Sequence, residues 1–193
     1  CETMVEYLLF DLDSTLYAPS CPLTGIIEDR MTSFVAEYLG LSRTEASSAR
    51  REQAAPYGTT IQWLVEEHAL SDHEGYFASV YPDDVSLFVK PDESLADALA
   101  RCSLPMSVLT NSPIEHARRV VQYLGIDQHF DYIFDIRFNR FRGKPHTWAF
   151  RRVLRVLSKH PEEVLLIDDS PGYVKAFARM GGNVLLVQSP NRP

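Results

Sequence analysis

The sequence predicts an α/β fold, a three-layer parallel sheet core interrupted by an inserted helical bundle. Three observations predict it. Short apolar runs of strand length alternate with helical periodicity from residue 91 onward, the order that builds right-handed crossovers into a parallel sheet. A first run, Val5-Glu6-Tyr7-Leu8-Leu9-Phe10, is cut off from the next by a long stretch carrying helical signals alone. Polar residues then follow each run, where an open parallel sheet places its ligands.

Taken in order, the first strand runs into Asp11-Leu12-Asp13-Ser14-Thr15-Leu16-Tyr17. Residues 25–39 set Ile26, Ile27, Met31, Phe34, Val35 and Tyr38 at helical spacing. Residues 41–55 carry Ser42 with Glu45 three positions on, the signature of a capping box. Helical segments follow over 59–69, with Ile61, Trp63, Leu64 and Val65, and over 72–81. These place a helical cap domain over residues 20–90 and a core domain over 1–19 and 91–193. In the core, a helix over 92–101 precedes the strand 105–110, and a helix over 113–124 ends at Gly125, a residue suited to a helix C-terminus. A short strand over 132–135, a helix over 146–157, a strand over 164–167, a helix over 171–180 closed by Gly181-Gly182, and a strand over 184–187 complete the pattern. The polar, proline-bearing residues 188–193 read as a loose tail.

The chain has 193 residues, 45% of them hydrophobic and 23% charged, enough to bury a core. A formal charge of −7 argues against sequence-independent binding to nucleic acid, which draws affinity from Lys and Arg on phosphates. An anionic ligand therefore needs locally placed positive charge. No apolar run approaches the roughly 18 residues of a membrane span, and the start lacks a signal-peptide pattern, so a cytoplasmic location is expected. Cys1, Cys21 and Cys102 lack any CxxC spacing and read as structural thiols.

The chemistry gathers at the strand ends. Asp11 and Asp13 follow the first strand and Thr110-Asn111-Ser112 the second; Arg142-Gly143-Lys144-Pro145 comes after the third, and Asp168-Asp169-Ser170 ends the fourth. In a parallel sheet all four face one edge. Carboxylates supply the hard oxygen ligands that magnesium takes, and a lysine among them can neutralise a phosphate. A carboxylate attacking a phosphate dianion needs both kinds of positive charge.

These residues make the chain similar to the haloacid dehalogenase-like phosphohydrolases. Asp11-Leu12-Asp13-Ser14-Thr15 resembles their DxDxT motif, Thr110-Asn111 their second motif, Lys144 their third-motif lysine, and Asp168-Asp169 their acidic fourth motif. The resemblance implies a Rossmann-like core with a C1-type cap inserted after the first motif. It implies that Asp11 is the nucleophile of an aspartyl-phosphate mechanism and Asp13 the acid and base, with the Asp13 main-chain carbonyl, Asp11 and Asp169 on Mg2+. Asp168 is then an indirect partner of the ion, and Thr110 and Asn111 bind phosphate through the Thr110 hydroxyl and both amides. Crowding by other carboxylates is expected to raise the Asp13 pKa, with the metal pulling the other way. Tyr173 stands where the family often has Asp or Asn, which puts metal affinity in question.

Tyr57-Gly58-Thr59-Thr60, His116-Ala117 and Ile167-Asp168-Asp169-Ser170 look most like the pyrimidine 5′-nucleotidase branch. The resemblance thus implies a small phosphorylated metabolite, a nucleoside 5′-monophosphate by first choice, with Tyr57 and Gly58 as substrate-binding residues. Alternatives are a sugar-phosphate phosphatase or phosphomutase, a haloacid dehalogenase, and a non-catalytic metabolite-binding protein. Asp13 argues against dehalogenation, which needs no proton for a leaving alkoxide. Trp63, Tyr57 and Phe77 at helical spacing fit a bundle core better than a base-stacking site. The basic loop Arg137, Arg140, Arg142 and Lys144 reads as a rim that draws anions in. His116 sits one turn into the helix after Asn111, close enough to approach the site.

Overall fold

The computed structural model describes residues 4–187. Cys1 and the tail over 188–193 lie outside the described residues. Five parallel strands form one sheet, β1 (Tyr7–Phe10), β2 (Met106–Leu109), β3 (Ile133–Phe134), β4 (Val164–Asp168) and β5 (Asn183–Leu186), in the order β3-β2-β1-β4-β5. The strand carrying the paired acids is therefore central. Leu8 lies beside Met106 on one flank and Leu165 on the other.

Alternation along β1 divides the core. Leu8 and Phe10 pack with Met106, Val108, Val120 and Val121 on one face, whereas Tyr7 and Leu9 pack with Phe150, Val153, Leu166 and Phe177 on the other. The first face is covered by α6 (Ile114–Tyr123), with α5 (Glu93–Arg101) beyond it; the second carries α7 (Thr147–Leu157) and α8 (Pro171–Ala178). Three layers result. Each fully buried Leu or Phe side chain contributes about 1.5–3 kcal/mol of transfer free energy.

Between β1 and α5 the chain forms α1 (Pro22–Leu39), α2 (Arg43–Glu52), α3 (Thr60–His68) and α4 (His73–Val80). The first helix starts three residues before its apolar periodicity, because Pro22 occupies the first turn, where its missing N–H is no loss. At α2 the capping box is present: the Glu45 amide donates to Ser42 Oγ at 3.3 Å and Ser42 N to Glu45 Oε2 at 2.8 Å. Thr59 and Asp72 cap α3 and α4. Trp63, Leu64, Tyr76 and Val80 fill the interior of this bundle, as the helical spacing of Trp63 requires. Cys21, where the chain enters the bundle, donates its thiol to the Phe88 carbonyl at 3.1 Å, where the chain leaves it. No helix among the described residues is long and apolar enough to cross a membrane.

Candidate active site

Beyond Phe10 the chain keeps one more sheet bond, Asp11 N to Ile167 O at 2.8 Å, and then turns sharply. The amides of Thr15 and Leu16 both donate to the Leu12 carbonyl, and Ser14 takes a left-handed φ of 66°. This turn aims Asp11 and Asp13 past the strand ends. The Thr15 hydroxyl donates to Asp11 Oδ2 at 3.3 Å, so Thr15 braces the loop.

Lys144 is fully buried, and its ammonium donates to Asp11 Oδ1 at 2.7 Å and Asp168 Oδ2 at 2.6 Å. Its main chain is fixed by Asn111, which accepts from Lys144 N and donates to Lys144 O, both at 2.9 Å. Gly143 makes that clasp sterically feasible, since a Cβ there would fall 2.1 Å from Asn111 Oδ1. The Asn111 side chain also donates to the Tyr173 hydroxyl at 3.2 Å, and the Tyr173 ring centre lies 5.0 Å from Lys144 Nζ. Tyr173 thus supports the lysine. Asp168 is buried, with its second oxygen accepting from the Ser170 amide at 2.8 Å.

Carboxylate oxygens of Asp11, Asp168 and Asp169 lie within 4.8 Å of one another. Asp11 and Asp168 share one ammonium, and the three carboxylates offer hard oxygens at a spacing that fits a divalent cation of the magnesium class. Burial pushes the Asp11 carboxyl above its ordinary range; Lys144 opposes this, and Asp168 and Asp13 add to it. Burial would also strip the proton from Lys144, but Asp11 and Asp168 beside it outweigh that and raise its pKa.

Asp13 stands apart from this cluster. Its Oδ1 accepts from Tyr17 Oη at 2.7 Å and His116 Nε2 at 2.8 Å, and its Oδ2 from Ser112 Oγ at 2.5 Å. Burial raises its pKa, but the His116 charge and the hydrogen bonds from His116, Ser112 and Tyr17 win and hold the carboxyl below its ordinary range. The expected upward shift from carboxylate crowding is thus reversed, because three donors converge on this one group. Thr110 is buried with its amide committed to Phe134 O in the sheet, so that amide is not offered to a phosphate. Its hydroxyl accepts from Ser112 N at 3.0 Å and retains its own hydrogen for a ligand.

A cavity of about 380 Å³ opens over these groups and reaches into the helical bundle. Its floor includes Asp11, Asp13, Thr110, Asn111 and Asp169; its upper wall includes Ile27, Glu28, Met31, Arg50, Gly58 and Thr60. The family model of the haloacid dehalogenase-like hydrolases matches residues 5–181, a span that holds every one of these positions. The chain belongs to the haloacid dehalogenase-like hydrolases.

Relatives are consistent with that membership. Phosphate metabolism protein 8 of Saccharomyces cerevisiae is 27% identical over 198 residues; the alignment takes in 93% of this chain, which spans 61% of that protein. Phosphoglycolate phosphatase of Pectobacterium atrosepticum is 28% identical over 189 residues, covering 93% of this chain and 78% of that one. Among solved structures, the L-2-haloacid dehalogenase of Xanthobacter autotrophicus superposes with a TM-score of 0.58 at 18% identity, over 95% of this chain and 78% of that one. A HAD phosphatase from Thermococcus onnurineus superposes with a TM-score of 0.60 at 17% identity, over 98% and 89%. At these identities the structural likeness speaks to fold.

Within this haloacid dehalogenase-like hydrolase, Tyr57 and Gly58 part company. Gly58, at φ 83°, rests on the lysine loop, where a Cβ would come 3.0 Å from Pro145 Cδ and 3.1 Å from Lys144 O. The Tyr57 side chain is not among the residues lining the cavity; its hydroxyl donates to Glu67, and its carbonyl accepts from His146 Nε2 at 2.7 Å. Sequence reasoning missed Tyr17 and Ser112 on Asp13, and Glu28 and Arg50 in the upper wall. Tyr17 lies four residues after Asp13, and Ser112 four before His116, spacings that could have signalled a shared partner.

Proposed function

We propose that this chain is a magnesium-dependent phosphomonoesterase that works through an aspartyl-phosphate on Asp11, with a nucleoside 5′-monophosphate as substrate. One observation carries the phosphatase reading: two carboxylates two residues apart have different environments, Asp11 on the lysine and the acidic cluster, Asp13 on three hydrogen-bond donors. Asp11, beside the ammonium and the acidic cluster, is where attack on a phosphate has its charge offset, and Asp13, among hydroxyl and imidazole hydrogens, is placed to exchange protons. The sequence relative named phosphoglycolate phosphatase supports the phosphatase reading.

Asp11 and Asp169, with the Asp13 main-chain carbonyl, would hold the Mg2+, and Asp168 would orient Lys144. The bound ion supplies charge neutralisation of the phosphate. Asp11 attacks phosphorus while the ester oxygen departs, and Asp13 gives that oxygen a proton. Water then attacks the aspartyl-phosphate as Asp13 takes a proton back, freeing phosphate and restoring Asp11. Lys144 offsets charge on the Asp11 side throughout.

The cavity supports the substrate class. Among its described lining residues Arg50 is the one Lys or Arg, and its guanidinium already meets Glu28 Oε2 at 2.7 Å and the Thr32 hydroxyl at 2.8 Å. A leaving group with its own carboxylate, such as that of phosphoglycolate, would meet a cation that is already neutralised. A neutral, partly apolar body fits the wall of Ile27, Met31 and Ile61.

Turnover of p-nitrophenyl phosphate is expected with Mg2+, absent with EDTA, and lost in Asp11→Asn. No turnover by folded protein with any divalent cation would overturn the phosphatase reading. If UMP and CMP were no better than glycerol phosphate or phosphoglycolate, the nucleotide reading would fall while the phosphatase reading stood.

A further inference from the structure

His116 has no assigned part in this chemistry, yet its position is unusual for a core histidine. The ring is fully buried, its Nε2 donates to Asp13 Oδ1 at 2.8 Å, and its Nδ1 is buried with no hydrogen-bond partner. A histidine kept for packing normally satisfies both nitrogens, because an unpaired buried polar atom costs about 1–3 kcal/mol. Here that cost is accepted and the single bond goes to the carboxylate that handles the proton. Tyr81, which lines the cavity, packs on the imidazole with ring centres 4.8 Å apart and fixes its plane.

The three donors on Asp13 also differ in kind. The Ser112 and Tyr17 hydroxyls rotate about their C–O bonds and can turn away or accept. The imidazole is held by α6 on one side and Tyr81 on the other, so its direction is set by the fold. We propose that His116 is a positioning residue for Asp13, holding the carboxylate so that it faces the leaving oxygen. This rests on the phosphatase reading above.

The test compares His116→Leu and His116→Gln with wild type on glycerol phosphate, whose leaving group needs a proton, and on p-nitrophenyl phosphate, whose leaving group does not. Both are measured in the first turnover with Mg2+ present. His116→Leu should lower the glycerol phosphate rate about 100-fold with KM within about twofold, and the p-nitrophenyl phosphate rate less than about fivefold. His116→Gln, which can place an amide near the Nε2 position, should recover at least about tenfold of the loss.

Equal losses on the two substrates, a change confined to KM, or wild-type rates would overturn the proposal. Should His116→Leu fail to fold, the Gln variant decides: a rate loss that leaves the substrates' ratio unchanged overturns the proposal, and a selective loss on glycerol phosphate supports it. Asp13→Asn keeps the two readings apart. If it retains full activity the mechanism itself fails, whereas an inactive Asp13→Asn beside a wild-type-like His116→Leu removes the role of His116 alone.

Discussion

Lys144 is a buried ammonium between two buried carboxylates, and such a trio is strongly asymmetric in its response to substitution. Replacing the lysine strands Asp11 and Asp168 without their counter-charge, a change that typically destabilises by about 3–5 kcal/mol. Lys144→Met should show this loss in urea unfolding without metal, together with loss of turnover. Because the folded state raises the lysine pKa, the stabilisation is full below its ordinary value of 10.5 and is lost as pH rises beyond it. Wild type and Lys144→Met should therefore converge in stability on the alkaline side. The lysine's place at the strand ends, beside Asp11, was legible from its position after the third strand. Its support was not, because Asn111, after β2, and Tyr173, in the first turn of α8, lie far apart in the chain. Tyr173, which the sequence marks as a departure from the acidic motif, also props the cation.

At the scale of elements, the helical bundle meets the sheet domain through apolar packing, with His73 and Phe77 of α4 against Phe141 and Tyr81 against His116, and through polar contacts at its edge. Arg137, after β3, pairs with Glu74 of α4 at 2.6 Å and Glu115 of α6 at 2.7 Å, and its guanidinium lies 4.4 Å from the Phe77 ring centre. One side chain therefore ties the bundle to the helix that carries His116. Arg137→Ala should raise KM for a nucleotide about threefold or more, keep kcat within about twofold, and change stability by less than about 1 kcal/mol, as steady-state kinetics and unfolding would check. Arg137 was read as part of an anion-attracting rim, a reading that periodicity and charge alone favour. Its partners on α4 and α6 are visible only once the chain has folded. Helices were legible from their periodicity and caps, with ends moving by a few residues where local chemistry, such as Pro22, took over.

For the molecule as a whole, the acidic cluster couples a ligand to stability. A divalent cation that binds the folded state alone stabilises it by mass action, about 2.7 kcal/mol at one hundred times its Kd. Mg2+ should raise the Tm by several degrees, EDTA should reverse the rise, and Asp169→Asn should abolish most of it. The fold class was legible because strand runs ending in polar residues recur in order, and a parallel sheet must then bring those ends to one edge. The upper wall of the cavity was not, because Glu28, Arg50 and Thr60 sit on three different helices and read singly as solvated or capping residues.

The central place of β1 bears on how the protein comes to be active during synthesis. Leu8 and its neighbours leave the ribosome well before their partners Met106 and Leu165. Closing such long loops is slow and entropically unfavourable until both flanking strands are available. A nascent chain that has not yet exposed β4 carries Asp11 on an unfinished sheet, without Asp168 or Asp169. The acidic cluster is therefore complete only once β4 and the loop after it have been made.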